Sequence, residues 1–339
     1  MTDAKHPLLR IREVAERAGV SSATVSRVLN NTGTVREATR EKVLAVINEV
    51  GYRPNRVASN LRRRQVQMIG LVIADVENPH FTQMARAVED TAYLRGYLVL
   101  LCNTDEDPAK QREYLKVLAA ERVAGAIISP TERDAPEISE LIDQGAYVVA
   151  YDRAIADRRA DAVLAANVEG ARLGAEHLIA GGHTKVGFVG GPVGIETAVE
   201  RLLGYEQAMS VAGLRPRVAQ GDFRVEGGRQ AAKTLLDGGA TALLVSNNLM
   251  GVGVLQAIRE GGLRVPLDVA LVSIDDPPWA ELTDPPLTTL AQPVRVMAAA
   301  AVDLLLQRLQ GGRKRGKRQM FEFELRHRGS CCSTETWDG

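Results

Sequence analysis

From Met68 onward, short apolar runs alternate with stretches of helical periodicity, and this alternation constrains the fold more than any other feature of the chain. The runs are almost continuously apolar, which is typical of strands that are buried on both faces between helices. They form two sets, so we predict an α/β fold with two doubly wound parallel-sheet subdomains. We expect the helical segment after Pro293, through about Gln310, to return to the first subdomain. The first set occupies residues 69–73, 97–101, 124–128 and 147–150, and the second set occupies residues 186–189, 242–245 and 269–274.

The start of the chain carries a different pattern, in which apolar residues recur at helical spacing on both sides of a glycine. These residues are Ile11, Val14, Ala15 and Ala18 before Gly19, and Val25, Val28 and Leu29 after it. Gly19 suits a positive φ, and the hydroxyl of Ser21 is placed to cap the second helix. So short a turn predicts two helices that cross steeply, as in a helix-turn-helix, with a third helix over Val43 to Val50. On spacing alone, a plain helical hairpin is the alternative.

The second of these helices is predicted to expose small and polar side chains opposite its apolar stripe. These are Ser22, Ala23, Ser26, Arg27 and Asn30. A narrow face without acidic residues can enter the major groove of DNA, where the Arg27 guanidinium can bind a guanine edge or a phosphate. The face therefore indicates a DNA-reading helix.

Charge is divided unevenly along a chain whose formal net charge is zero. Residues 1–66 contain 13 Lys and Arg against 6 Asp and Glu, whereas the remainder contains 29 against 36. This division predicts a polyanionic partner for the first segment, and a solvated charged face is the alternative. Within that segment, residues 54–64 are too short for a stable isolated helix, yet they include Leu61 and three consecutive arginines, Arg62 to Arg64. Leu61 suits a wedge between base steps in the minor groove, with an ordinary basic linker as the alternative.

A longer series of residues in this part of the chain matches a known family. The series comprises Val14-Ala15, Ala18-Gly19-Val20-Ser21, Thr24-Val25-Ser26-Arg27-Val28-Leu29-Asn30, Val35, Thr39-Arg40, Gly51-Tyr52, Pro54-Asn55, Ala58 and Leu61. It resembles the head and hinge of the LacI/GalR (lactose-repressor/galactose-repressor) family of bacterial transcriptional regulators. The resemblance implies DNA contacts by Ser21, Ser22, Ala23, Thr24, Ser26, Arg27 and Asn30, and by Asn55, Ala58 and Leu61 of the hinge. Within this set it implies base reading by Ser22, Ala23 and Arg27, and opening of the central operator step by Leu61.

Polar residues follow the ends of several predicted strands, where ligands bind in open parallel sheets. They are Asp75, Ser129, Asp152-Arg153, Asn247 and Asp275-Asp276. Carboxylates and guanidinium groups can form hydrogen bonds with the vicinal hydroxyls of a sugar. Capping of the next helix is the alternative role for residues at these positions. The rest of the chain resembles the periplasmic-binding-protein-like core of the same family, with Asn248 where that family often has Asp. The effector-binding residues taken from the strand ends and the resemblance are Phe81, Ser129, Asp152, Arg201, Phe223, Asn247 and Asp275.

These patterns together predict the division of the chain into domains. We expect a helix-turn-helix domain at 8–53, a hinge at 54–66, an effector-binding core at 67–330 and a tail at 331–339. Within the core, the first subdomain is predicted to comprise about 67–164 and 294–322, and the second about 165–293 and 323–330.

Several classes of function lack their sequence motifs. We find no G-x-x-x-x-G-K-[ST], no G-x-G-x-x-G and no G-x-S-x-G, so we predict that the protein is not an enzyme. Its five histidines (His6, His80, His177, His183 and His327) never pair at i, i+3 or i+4, and its three cysteines give no C-x-x-C. We therefore expect no metal and no cofactor, and we interpret Cys331-Cys332 as incidental thiols of the tail. The chain begins with a polar segment and has no membrane-spanning apolar run, so we expect a cytoplasmic, nucleoid-associated protein.

The sequence thus predicts a transcriptional regulator, with repression the commonest activity in the family it resembles. It is expected to bind a palindromic operator in double-stranded DNA as a homodimer, under allosteric control by a carbohydrate-like effector between the subdomains. A purine-type co-repressor is the alternative effector. A sugar-binding protein or a sugar kinase with an accessory DNA-binding head is the alternative function.

Overall fold

The computed structural model describes residues 11–30, 35–50, 66–311 and 315–331. The chain separates into two compact units, which we name the head (Met1–Val66) and the body (Gln67–Gly339). The predicted hinge contacts Asn55, Ala58 and Leu61 lie outside the described residues. Among the helices that are described, none is both long and apolar enough to span a bilayer.

Three helices build the head around a small apolar core. They are α1 (Ile11–Ala18), α2 (Ser22–Asn30) and α3 (Glu37–Val50). The buried core residues are Val14, Ala15, Ala18, Val25, Val28 and Val43. The turn between α1 and α2 has Gly19 at φ 63°, and the N–H of Val20 donates to the Ala15 carbonyl at 3.0 Å. The predicted positive φ and the three-helix core are both confirmed.

The body consists of alternating strands and helices. Its strands in chain order are β1 (Val66–Ile73), β2 (Leu98–Asn103), β3 (Val123–Ile128), β4 (Tyr147–Tyr151), β5 (Asp161–Ala165), β6 (Val186–Gly190), β7 (Arg217–Gln220), β8 (Ala242–Val245), β9 (Ala270–Ile274), β10 (Thr288–Ala291), β11 (Arg318–Phe321) and β12 (Glu324–Arg326). Its helices are α4 (Pro79–Tyr93), α5 (Pro108–Ala120), α6 (Pro136–Asp143), α7 (Asn167–Ala180), α8 (Glu196–Val211), α9 (Val225–Asp237), α10 (Asn248–Glu260) and α11 (Val294–Leu309), with a 3-10 helix at Pro278–Leu282.

The strands form two sheets of six, each covered by helices on both faces. The first subdomain has the order β11-β5-β4-β3-β1-β2, with α4 and α11 packed on one face and α5 and α6 on the other. The second subdomain has the order β12-β10-β9-β8-β6-β7, with α9 and α10 on one face and α7 and α8 on the other. The strand pairs whose register is described are parallel, except for β10 and β12, which are antiparallel. The predicted pair of doubly wound sheets is therefore confirmed.

The chain passes between the two subdomains three times, after β5, after β10 and after β11. The second passage brings α11 back to the first subdomain, as predicted, where Met297, Val302 and Leu305 are buried in the core. A buried ion pair fixes its last turn, because Arg308 Nε lies 2.9 Å from an oxygen of Asp161 in β5. Removing one member of such a buried pair costs about 3–5 kcal/mol. The three passages of the chain therefore join the two subdomains by three short connections, which can act as hinges.

Five strands were not predicted from the apolar runs. They are β5, β7, β10, β11 and β12. Strands β7, β11 and β12 are three or four residues long. They lie at the edges of the sheets, where one side of the strand is not covered by apolar neighbours. Their sequences, such as RVAQ in β7 and ELR in β12, therefore contain too few consecutive apolar residues to be distinguished from loops.

Candidate functional site

The exposed face of α2 is the candidate DNA-binding surface of the head. Val25 and Val28 are buried, whereas Ala23 and Arg27 are exposed and Ser22 is half-buried. The hydroxyl of Ser21 accepts a hydrogen bond from the N–H of Thr24 at 3.1 Å and lies 2.9 Å from the Thr24 hydroxyl. The predicted cap of α2 is confirmed. Ser26 and Asn30 belong to this helix, but their side chains are outside the described part of the structure.

A cleft lies in the body between the two subdomains, with about 510 Å³ of space not filled by protein atoms, open solvent included. The cleft collects the residues that follow the carboxyl ends of strands in both sheets, as expected for open parallel sheets. Its lining residues are Asp75, Asn78, His80, Phe81, Glu106, Asp152, Arg153, Thr197, Arg201, Asp222, Phe223, Arg224, Asn247, Asp275 and Gln292.

Six of the seven candidate effector residues line this cleft. Phe81 and Asp152 come from the first subdomain, and Arg201, Phe223, Asn247 and Asp275 come from the second. Ser129 does not line it. Its N–H donates to the Val72 carbonyl at 2.8 Å, which continues the sheet, and the residue is fully buried. Although Ser129 follows a strand end, as predicted, it lies too deep in the first subdomain to line the cleft.

The backbone of the cleft adopts conformations that side-chain-bearing residues rarely use. Glu106, Asp152, Phe223 and Asp275 have φ values of 59°, 68°, 64° and 71°. Positive φ at such residues costs of order 1–3 kcal/mol and is found chiefly where a site requires it. All four of these residues line the cleft. The strain is therefore concentrated where the two sheets face each other.

Asp275 is held by a hydrogen-bond network that joins the subdomains. Its carboxylate accepts from Gln292 Nε2 at 2.8 Å and from Asn248 Nδ2 at 2.9 Å. The same Asn248 Nδ2 donates to Asn78 Oδ1 of the first subdomain at 2.9 Å, and His80 Nδ1 lies 3.8 Å from Asp275. An aspartate at position 248, common in the related family, would have no N–H for either bond. The amide of Asn248 thus links the Asp275 carboxylate of the second subdomain directly to Asn78 of the first.

Two buried guanidinium groups occupy the cleft with different partners. Arg153 makes a bidentate ion pair with Glu106, at 2.5 and 2.6 Å. Burial disfavours the charge of Arg153, but the Glu106 carboxylate raises its pKa overall. Arg201 instead donates to Asn167 Oδ1 at 2.8 Å and to the Ser246 carbonyl at 2.6 Å. Arg201 is therefore oriented by neutral acceptors. Because no carboxylate pairs with it as Glu106 pairs with Arg153, the charge of Arg201 is more available to a ligand.

Asn247 illustrates how capping and ligand binding combine at a strand end. Its Oδ1 accepts from the N–H of Met250 at 2.9 Å and so caps α10, while its Nδ2 donates to the Phe223 carbonyl at 3.0 Å. The capping role is therefore correct, yet the same side chain lines the cleft. Its bond to Phe223 also stabilises the strained turn that places the aromatic ring in the site.

Several buried polar atoms near the cleft have no hydrogen-bond partner among the described residues. They include both ring nitrogens of His80, the hydroxyl of Tyr151, Oδ1 of Asn248 and Oε1 of Gln292. Burial, together with the nearby Asp152 and Asp275 charges, raises the pKa of the Tyr151 phenol, so it remains a donor at neutral pH. Buried polar groups in proteins nearly always find a partner. A ligand with several hydroxyl groups can satisfy donors and acceptors of this kind.

Sequence reasoning did not identify several lining residues as site residues. They are Asn78, His80, Glu106, Thr197, Asp222, Arg224 and Gln292. Three of them, Glu106, Asp222 and Gln292, lie one to three residues beyond a strand end, but Asp222 and Gln292 follow the unpredicted strands β7 and β10. Extending the search from the first residue after each predicted strand to the whole following turn would have found Asn78 and Glu106.

Both parts of the chain match known protein families. Residues 10–55 match the sequence model described as "Bacterial regulatory proteins, lacI family", and residues 175–331 match a "Periplasmic binding protein-like domain". Among curated relatives, an HTH-type transcriptional repressor PurR from Aliivibrio salmonicida is 33% identical over 319 residues, covering 92% of this chain and 95% of the relative. A ribose operon repressor from Halalkalibacterium halodurans is 35% identical over 302 residues, with coverage of 88% and 90%.

Two solved structures also resemble this chain over most of its length. The lac repressor dimer bound to operator and the anti-inducer ONPF has a TM-score of 0.84 and 31% identity, covering 96% of this chain and 99% of that one. A LacI family transcriptional regulator from Enterococcus faecium with bound ribose has a TM-score of 0.74 and 28% identity, with coverage of 79% and 100%. The likeness to the first structure extends over the head and the body together.

Proposed function

The chain belongs to the LacI family of bacterial regulatory proteins, and on that basis we propose that it is a transcriptional repressor controlled by a small carbohydrate-like effector. It binds a near-palindromic operator as a homodimer, and the effector occupies the cleft between the subdomains. We assign no catalytic activity to the cleft. The cleft geometry carries this proposal, because one small site brings together acceptors, donors and aromatic rings from two subdomains.

Recognition of DNA is assigned to the exposed face of α2. Two heads related by the dimer axis would read half-sites about one helical turn apart. Ala23 and Ser22 are small enough for close approach to the bases, and Arg27 supplies a guanidinium at the exposed surface. The hinge residues Asn55, Ala58 and Leu61 remain predicted DNA contacts from the sequence.

The charge of the cleft favours a neutral, hydroxyl-rich effector over an anionic one. Its lining includes five carboxylates and three guanidinium groups. The carboxylates are Asp75, Glu106, Asp152, Asp222 and Asp275. Carboxylates accept hydrogen bonds from hydroxyl groups and repel phosphates and acids. Phe81 and Phe223 add apolar surface for the faces of a sugar ring. A neutral sugar therefore fits these groups better than a sugar acid or a sugar phosphate.

A purine-type co-repressor is the second candidate. The unsatisfied amide oxygen of Gln292, which lines the cleft, is an acceptor that suits a ring N–H or the exocyclic amine of a purine. The name of one relative, a PurR repressor, also points to this class. Purine binding would need stacking on Phe81 or Phe223.

Coupling to DNA follows from the position of the cleft. A ligand that contacts Asp275 and His80 competes with the bridge that Asn248 makes between the subdomains. The relative pose of the two subdomains then changes through the three connections, and the paired hinges gain or lose their contacts. Such coupling is reciprocal, so operator binding must change effector affinity by the same factor.

A thermal-shift screen tests the assignment of the effector class. Neutral sugars, sugar acids, sugar phosphates and purines are added separately to the full-length protein. A ligand at 100 times its Kd adds about 2.7 kcal/mol to the free energy of unfolding. We expect a neutral sugar to raise Tm in the wild type and in Asp237→Asn, an exposed acidic residue of α9, but not in Asp275→Asn. A shift with purines alone would replace the sugar assignment, and an equal shift in Asp275→Asn would refute the site.

A further inference from the structure

A cluster of side chains that could hold a metal ion lies in the second subdomain, outside the cleft. His177 belongs to the last turn of α7, His327 directly follows β12, and Cys331 ends the described chain. The spacings of histidine and cysteine along the chain do not predict a metal site. The fold, however, brings His177 next to two residues that lie 150 and 154 positions away in the chain. Cys331 is also not the incidental tail thiol that the sequence suggested, since it is buried in the core of this subdomain.

The three potential ligand atoms form a nearly equilateral triangle. His177 Nε2 lies 3.1 Å from Cys331 Sγ and 3.3 Å from His327 Nδ1, and Cys331 Sγ lies 3.5 Å from His327 Nδ1. A tetrahedral zinc ion has Zn–N near 2.1 Å and Zn–S near 2.3 Å, which separates its ligand atoms by about 3.3–3.6 Å. Two of the three observed separations fall in this range, and the 3.1 Å between His177 Nε2 and Cys331 Sγ is shorter, so small side-chain shifts would bring the three atoms around one tetrahedral ion.

Hydrogen bonding explains this arrangement less completely. Each ring nitrogen carries either one proton or one lone pair, so His177 Nε2 can make only one good hydrogen bond although it faces two partners. A cation at the centre uses the lone pairs of both rings and the thiolate together. We propose that His177, His327 and Cys331 bind a divalent transition metal of the zinc class, with the thiol giving up its proton on binding.

The burial of the residues fits this proposal. His177 and Cys331 are buried, whereas His327 is exposed, which gives an ion a path from solvent and leaves room for a water as fourth ligand. Imidazole and thiolate together favour zinc over magnesium or calcium.

The metal would fasten the end of the described chain to the second subdomain. The segment is already held by Ser330, whose hydroxyl donates to the Leu271 carbonyl at 2.6 Å and accepts from the N–H of Thr288 at 2.7 Å. Thr288 Oγ1 in turn lies 3.2 Å from Cys331 Sγ. An ion on His177 would therefore connect α7, β10 and the residues after β12 at one point.

Cobalt(II) titration of the metal-depleted, full-length protein without a polyhistidine tag tests the site. We expect one equivalent of cobalt to produce a thiolate-to-cobalt charge-transfer band and the visible absorption of a tetrahedral ion, and zinc to displace it. His327→Ala changes an exposed residue and should lower zinc affinity by about 100-fold or more. Cys331→Ser should abolish the charge-transfer band, and zinc should raise Tm in the wild type but not in either variant.

Two matched variants provide the controls. Cys332→Ser changes the neighbouring thiol, and Cys102→Ser changes a buried thiol of the first subdomain. Both should keep the wild-type cobalt spectrum and zinc affinity. The proposal is overturned if stoichiometric cobalt gives no charge-transfer band, if the band survives Cys331→Ser, or if His327→Ala binds zinc as tightly as the wild type. If Cys331→Ser fails to fold, the result with His327→Ala decides alone.

Discussion

The exposed face of α2 in the head and the cleft of the body differ in how their residues are held in position. In the head, Ala23 and Arg27 lie on the exposed side of a regular helix, and a single cap and a small core suffice to position them. In the cleft, Asp152, Phe223 and Asp275 have strained backbones and are fixed by bonds between distant segments. The contrast shows that neighbouring residues of one helix can form a surface for a large partner. A site for a small molecule, in this fold, needs residues from distant segments of the chain.

The largest expected effect concerns the head alone. Arg27→Ala should weaken specific operator binding by about 2–6 kcal/mol, because a base contact is worth about 1–3 kcal/mol and a dimer has two half-sites. Fluorescence anisotropy with a selected operator measures this change. Arg27→Lys keeps the charge but not the planar fork. If Arg27→Lys binds and discriminates as well as the wild type, Arg27 contacts a phosphate and the base-reading role is wrong.

The next effect concerns the cleft alone. Asn248→Ala removes two hydrogen bonds, one to Asn78 and one to the Asp275 carboxylate, at a cost of about 2–4 kcal/mol. Amide exchange should increase in the segments that meet across the cleft, around residues 78 and 275, and leave the head unchanged. The exposed head variant Asn48→Ala is the control. Equal exchange in the two variants would show that Asn248 does not hold the subdomains together.

A smaller effect tests how locally the head is built. Ser21→Ala removes the hydroxyl that accepts from Thr24 N–H and should cost about 1 kcal/mol of head stability. Ser21→Asp, which retains a cap, should restore stability. Amide exchange of α2 measures the loss, and the exchange of the body should not change. A loss of amide protection that spreads into the body would contradict a cap whose effect is confined to the head.

The smallest expected effect is a pH dependence confined to the body. Burial lowers the pKa of His177 and His183 below the ordinary value of 6.5, whereas the described part of the head contains no histidine. As pH falls below 6.5, the unfolded chain binds protons more readily than the folded body, so the free energy of unfolding of the body decreases. Amide exchange, corrected for its intrinsic pH dependence, should therefore rise in α7 and not in α1. A parallel rise in both would exclude these histidines as the cause.

The same contrast explains what the sequence could predict. Helical spacing around Gly19 and the cap at Ser21 are properties of neighbouring residues, and both agree with the structure. Strand-end positions led to five lining residues of the cleft, which are Asp75, Asp152, Arg153, Asn247 and Asp275, whereas Phe81, Arg201 and Phe223 came from the family resemblance. Strand-end positions also led to Ser129, because they do not show how far a side chain lies from the opposite subdomain.

Contacts between distant segments were beyond the sequence patterns. The bridge from Asn248 to Asn78 joins residues 170 positions apart, and the cluster of His177, His327 and Cys331 depends on the third passage of the chain between the subdomains. Periodicity and spacing describe only near neighbours, so neither feature leaves a local signal.

The central claim is that a small molecule in the cleft controls the affinity of the head for DNA. Operator affinity should be measured by fluorescence anisotropy, with and without the ligand found by thermal shift, in the wild type and in Asp275→Asn. We predict a change of about 5–150-fold in the wild type, the range of typical allosteric coupling, and no change in Asp275→Asn. An operator affinity that saturating ligand leaves unchanged in the wild type would contradict the account.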